Sequence, residues 1–107
     1  TTIGRVAYTR DLSELPTGND LNALLTHEQV HARDEQSLGG QFYVDYVAFP
    51  SKRWEFESRA WAAELDYMRH HDLVIDIDWY ARLASERYSG MISYQQAFAW
   101  FLWQATK

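Results

Sequence analysis

His27-Glu28-Gln29-Val30-His31 reads H-E-x-x-H. On an α-helix this spacing sets two imidazoles one turn apart on the same face. Both can then reach a single metal ion. Glu28 lies about 100° further round the axis. From there its carboxylate can take a proton from a water that the metal polarises, without being a ligand itself. Two nitrogen ligands, an open metal position and an adjacent base are what a zinc-dependent peptidase requires. The plainer alternative is two histidines on an ordinary amphipathic helix, each hydrogen-bonded to a neighbour. That alternative leaves Glu28, at the position of the base, as an unexplained coincidence.

A catalytic zinc usually has three protein ligands and a water, so one more ligand must come from elsewhere. The metzincin continuation H-E-x-x-H-x-x-G-x-x-H is excluded, because Asp34 stands at the Gly and Ser37 at the last His. The other common solution is a Glu on a second helix. The stretch Ser51 to His70 offers Glu55, Glu57 and Glu64. Helical geometry puts Glu57 within about 60° of Trp54, Ala60, Trp61 and Met68. A carboxylate in the middle of that apolar face must be metal-bound, ion-paired or protonated. Arg53, four residues earlier, is its candidate ion-pair partner. Glu55 falls on the polar side with Lys52 and Arg59. Glu64, two turns beyond Glu57, is either the ligand in its place or an acceptor for a zinc-bound His. His70 and His71 are adjacent and diverge on a helix, yet one of them could be the third ligand. Asp34, on the ligand face, can orient a His or close the floor of the site.

Several elements must position these groups. Leu21-Asn22-Ala23-Leu24-Leu25-Thr26 leads into the motif with good helix formers, after the turn-like Pro16-Thr17-Gly18. The motif helix is expected from Asn19 to Ser37, capped by Asn19 or Asp20 and stopped at Leu38-Gly39-Gly40. Asp20, Ala23, Leu24, His27, Val30, His31 and Asp34 share one side of it. Thr2 to Thr9 reads as a strand, and Asp11 to Gly18 as a loop. Gln41 to Phe49 fits both periods and is read as a helix closed by Pro50. Ser51 caps the ligand-bearing helix. Val74-Ile75 is a short extended piece. A further helix starts at Asp76 or Asp78, runs through Arg87 and is broken at Tyr88-Ser89-Gly90. Ser93 and Gln96 form a capping box for the last helix, Tyr94 to Ala105.

LLTHEQVHARDEQ, an aromatic connector ending in Pro50, and RWEFESRAWAAE together resemble the small zincin-like metallopeptidases of the gluzincin type, the compact minigluzincins among them. The resemblance covers about Leu21 to Leu65. It implies an α+β, mainly helical, zincin-like fold. In such a fold one or more short N-terminal strands pack on the motif helix and a second ligand-bearing helix, with a helical C-terminal part. It also implies one Zn²⁺ per chain on His27, His31 and Glu57, with Glu28 as general base and acid.

Composition sets the bounds. At 107 residues the chain is one domain with one modest core, or a fragment of something longer. With 47% hydrophobic and 16% aromatic residues it is too apolar for disorder. A net charge of −5 with no basic cluster argues against a nucleic-acid partner. No Cys is present, which excludes a thiolate zinc site and leaves the compartment undecided. No apolar run approaches a membrane span, and no signal peptide is visible. The expected partner is a peptide or protein substrate, paired along the Thr2–Thr9 strand. Tyr43, Tyr46 and Arg53 are candidate oxyanion stabilisers. A non-catalytic zincin-fold assembly domain is the competing expectation, and a metal-free helical adaptor is the third.

Overall fold

The computed structural model describes residues 19–88 and 91–107. Among them five α-helices follow one another: α1 Asn19–Leu38, α2 Gly40–Ala48, α3 Pro50–His70, α4 Ile77–Arg82 and α5 Tyr94–Ala105. A single π-helical turn, Leu83–Arg87, continues α4.

The helix boundaries follow local chemistry. At the end of α1, Gly39 takes φ 61°, a left-handed turn open to glycine at no steric cost. Its amide donates to the Glu35 carbonyl at 2.7 Å. Pro50 opens α3 in the first helical position, where its missing N–H costs nothing. Phe49 occupies the cap position with no side-chain bond, so Ser51 does not cap this helix as its sequence position led us to expect. The Asp76 carboxylate accepts from Trp79 N at 3.0 Å and starts α4. Ser93 and Gln96 close a reciprocal capping box at α5.

The expected α+β zincin-like architecture is corrected by this structure. The described residues contain helices, turns and irregular connections, with no strand or sheet. The stretch Gln41 to Phe49, whose apolar residues fit both periods, is settled as helix: Phe42 is buried, while Val44 and Val47 are exposed. Leu73 to Asp76 is irregular, and an isolated extended segment is not a stable strand. The strand expected over Thr2 to Thr9, the loop over Asp11 to Gly18 and the break at Ser89-Gly90 lie outside the described residues. So do the side chains of Asn19 and Asp20, expected to cap α1.

Helix α3 organises the molecule. Phe56, Glu57, Ala60, Trp61, Glu64, Leu65 and Met68 are its buried residues. Their spacing of three to four makes one continuous stripe from Phe56 to Met68 on a helix of 21 residues. α1 packs along one side of α3, α2 covers its first turns, α5 packs against it as well, and Tyr80 of α4 reaches Glu64 and Met68. Trp61 is the hub, with its ring 5.3 Å from Phe101 of α5 and 5.7 Å from His27 of α1. Outside the core, Arg59 of α3 meets Asp34 of α1 at 2.7 Å. Arg59 is half exposed, so this pair is worth at most about 1 kcal/mol.

Phe101→Ala should cost about 3–5 kcal/mol in chemical denaturation, because it opens a cavity beside Trp61. Leu102→Ala, next to it but 44% exposed, should change stability by about 0.5 kcal/mol or less. Equal costs at the two positions would show that α5 does not pack through Phe101.

Candidate metal centre

The motif helix delivers both histidines to α3. His27 is 6% exposed, and the side chain of His31, one turn on, is 13% exposed. Glu57 meets them from the middle of the α3 stripe, 1% exposed. Its Oε1 lies 3.0 Å from His27 Nε2 and 2.8 Å from His31 Nε2. The two Nε2 atoms are 3.0 Å apart. Three ligand atoms from three side chains therefore form a nearly equilateral triangle.

These atoms conflict when left to themselves. If each imidazole donates its Nε2–H to Glu57 Oε1, no proton remains to bridge the nitrogen–nitrogen contact. A cation over the triangle removes the conflict by accepting all three lone pairs. A tetrahedral zinc with ligands at about 2.0–2.1 Å needs ligand-to-ligand edges of about 3.3 Å, so the triangle fits within about half an ångström. Two imidazole nitrogens and one carboxylate oxygen are a set that catalytic zinc favours, with a fourth position left open.

Neighbours hold two of the three groups in place. Glu57 Oε2 accepts from the Tyr46 hydroxyl of α2. Glu64, 1% exposed, places Oε1 3.0 Å from His27 Nδ1, although the N–H is not aimed squarely at it. Glu64 Oε2 accepts from the Tyr80 hydroxyl of α4. Among the described residues, no acceptor meets His31 Nδ1.

Charge follows from this packing. Burial alone would disfavour protonated His27, but Glu57 and Glu64 outweigh it and push His27 up to about 9. Burial alone would also raise Glu57, yet the hydrogen bonds from His27 and His31 hold its carboxyl far below the usual range. Glu28 moves the other way: burial raises it, against the pull of His27. Burial and the adjacent Glu57 raise the Tyr46 phenol.

A cleft of about 370 Å³ opens beside the triangle. Glu28, His31, Ala32 and Glu35 of α1 form one wall, Phe42, Tyr43 and Tyr46 of α2 form another, and Glu57 is at its base. Glu28 thus shares the cleft with two of the three ligand-type residues.

The other candidates lie elsewhere. Glu55 is exposed among Lys52 and Arg59, at 3.6 and 3.5 Å. Arg53 donates to the Tyr46 carbonyl at 3.2 Å, and the buried pairs of Glu57 are with histidine. Asp34 is engaged by Arg59. His70 is exposed and bonds the Asp66 carbonyl at 2.8 Å, and His71 stacks on Tyr67 at 4.1 Å. Neither is part of the His27, His31 and Glu57 group. Sequence reasoning missed Tyr80, because nothing in its spacing links it to a motif on α1. In comparisons with family models, curated proteins and solved structures, none matches this chain.

The metal-free protein should show a pH signature. His27 is raised from 6.5 to about 9, so its contribution is complete below about pH 6.5 and is lost as pH rises through 9. The lowered Glu57 works oppositely: its contribution is present above the ordinary carboxylate range and is lost on acidification. Stability toward urea in the presence of a chelator should therefore be greatest near pH 5–6.5. It should lose on the order of 2–3 kcal/mol by pH 9–10. A flat profile from pH 6 to 10 would refute the His27 assignment.

Proposed function

We propose that the chain is a zinc-dependent peptidase domain, with His27, His31 and Glu57 as ligands and Glu28 as general base. The observation that carries this reading is the convergence of His27 Nε2, His31 Nε2 and Glu57 Oε1 within 2.8–3.0 Å of one another, at the base of a cleft that Glu28 lines. An ordinary pair of surface histidines would not bring a buried carboxylate from another helix to the same point. The motif resemblance to gluzincins supports the same assignment, although the described architecture is all-helical.

Bound Zn²⁺ supplies Lewis acidity toward a water and toward the scissile carbonyl. The protein's own residues do the rest. Glu57 contributes a charged ligand that its two histidine partners keep ionised. Glu28, raised by burial above the ordinary carboxylate value, can accept a proton from water and return it to the leaving amine. Phe42, Tyr43 and Tyr46 give the cleft an aromatic wall that can seat a side chain and exclude water. Tyr46 carries a hydroxyl donor to the edge of the site, where it holds Glu57. No helix among the described residues is long and apolar enough to cross a membrane.

Protein purified without added metal should contain about one zinc per chain, and His27→Ala, His31→Ala and Glu57→Ala should each lose it. Glu55→Ala should not. Glu28→Gln separates binding from chemistry. It should keep zinc and the fold but lower peptide hydrolysis by about 10²–10⁴-fold. Undiminished cleavage by Glu28→Gln removes the base assignment. If the parent binds zinc yet cleaves nothing in a broad peptide library, the domain is non-catalytic.

A further inference from the structure

On the Nδ1 side of His27, opposite its ligand nitrogen, lies a second buried carboxylate that is not needed as a ligand. Glu64 is 1% exposed and sits two turns along α3 from Glu57. At 1.5 Å per residue the two are about 10.5 Å apart along the axis and on the same face. The His27 ring spans the gap, with Nε2 at Glu57 and Nδ1 at Glu64, each at 3.0 Å. Glu64 in turn accepts from Tyr80, whose hydroxyl also lies 3.3 Å from Met68 Sδ.

We infer that Tyr80 is a positioning residue for the metal centre: its hydroxyl fixes the buried Glu64 carboxylate, which aims His27 Nε2 at the ligand point. The inference rests on the zinc reading above. Its physical basis is rigidity. A glutamate side chain turns about three bonds and does not by itself hold one direction. Tyr80 does, because it is 1% exposed and its ring stacks on Phe101 at 5.2 Å, nearly parallel at 26°. With Oε2 held there, Oε1 is left facing His27. A carboxylate at Nδ1 selects the ring form that carries its proton on Nδ1, which leaves the Nε2 lone pair for a metal. Two of three ligands then depend on groups outside the motif, His27 through Glu64 and Tyr80, and Glu57 through Tyr46.

A tyrosine that merely satisfies a buried carboxylate would affect stability without affecting the metal. The two roles separate in the full chain by zinc affinity, measured by competition with a chelator, and by the visible spectrum of the Co²⁺-substituted protein. Tyr80→Phe should remain helical by circular dichroism, bind zinc about 10–100-fold more weakly and shift the Co²⁺ bands. Glu64→Gln should act in the same direction. Met91→Ala, which loosens the same core but keeps the Tyr80 hydroxyl and its stacking on Phe101, should leave zinc affinity of the folded protein unchanged. Parental affinity and spectrum in folded Tyr80→Phe overturn the inference, as does an equal loss in Met91→Ala. If Tyr80→Phe fails to fold, parental affinity in Glu64→Gln overturns it. A parent chain that binds no zinc overturns this inference and the zinc reading together, whereas zinc bound equally by parent and Tyr80→Phe overturns this inference alone.

Discussion

Two carboxylates buried on one face of α3 constrain everything around them. Glu57 and Glu64 are each 1% exposed. A charged group removed from water costs several kcal/mol unless it is paired and hydrogen-bonded. The structure meets that requirement with groups from three other helices: His27 and His31 from α1, Tyr46 from α2 and Tyr80 from α4. Remove any of these helices and a buried oxygen loses a partner. The polar site and the apolar core are therefore one packing problem. Trp61 lies between Glu57 and Glu64 in sequence and touches both His27 and Phe101.

This arrangement explains how helices alone can hold three ligand atoms within 2.8–3.0 Å. The i, i+4 spacing of α1 sets the two imidazoles a turn apart, and the long contact of α1 with α3 brings them to a fixed depth. The tight left-handed turn at Gly39 folds α2 back so that Phe42 and Tyr46 cover the same spot. Phe42 packs against Phe56 at 4.8 Å, which ties α2 to the start of α3. The ring edges facing His31, from Phe42 at 6.2 Å and Tyr46 at 6.4 Å, leave one side of the triangle open to the cleft.

Much of this was legible in the sequence, and for identifiable reasons. The helices around His27, Glu57 and Tyr94 have strong periodicity and local stop signals, so their extents emerge from short-range rules. Glu57 was legible because a carboxylate on an apolar stripe needs an explanation. Glu64 was legible only as an alternative, since helical phase puts it beside Glu57 without saying which of the two approaches the histidines. The roles of Tyr46 and Tyr80 were not legible. Each depends on the angle between helices, which side-chain packing decides and no local pattern encodes. The zincin-like mixed fold failed for a different reason. It rested on the motif resemblance and on a strand read from the β-branched and aromatic residues of Thr2 to Thr9, which lie outside the described residues, and among the described residues the helices bury one another without a sheet.

The site divides its carboxylates by environment. Glu57 and Glu28 lie on the same cleft, yet their surroundings drive them apart. Two histidines donate to Glu57 and hold it ionised, the state a metal ligand needs. Glu28 is buried without an equally strong donor, and burial raises it above the ordinary carboxylate value, against the pull of His27. Under the proposed zinc reading, like groups pushed in opposite directions suit two distinct roles, one as fixed charge and one as proton carrier. Helix α1 enforces the distinction through a single residue step, because His27 faces α3 while Glu28 faces the cleft. A one-residue slip of α1 against α3 would turn Glu28 by about 100° into the place of His27. It would put a third carboxylate against Glu57 and Glu64, where like charges repel, so the same electrostatics that pair His27 with two carboxylates fix the register of the motif.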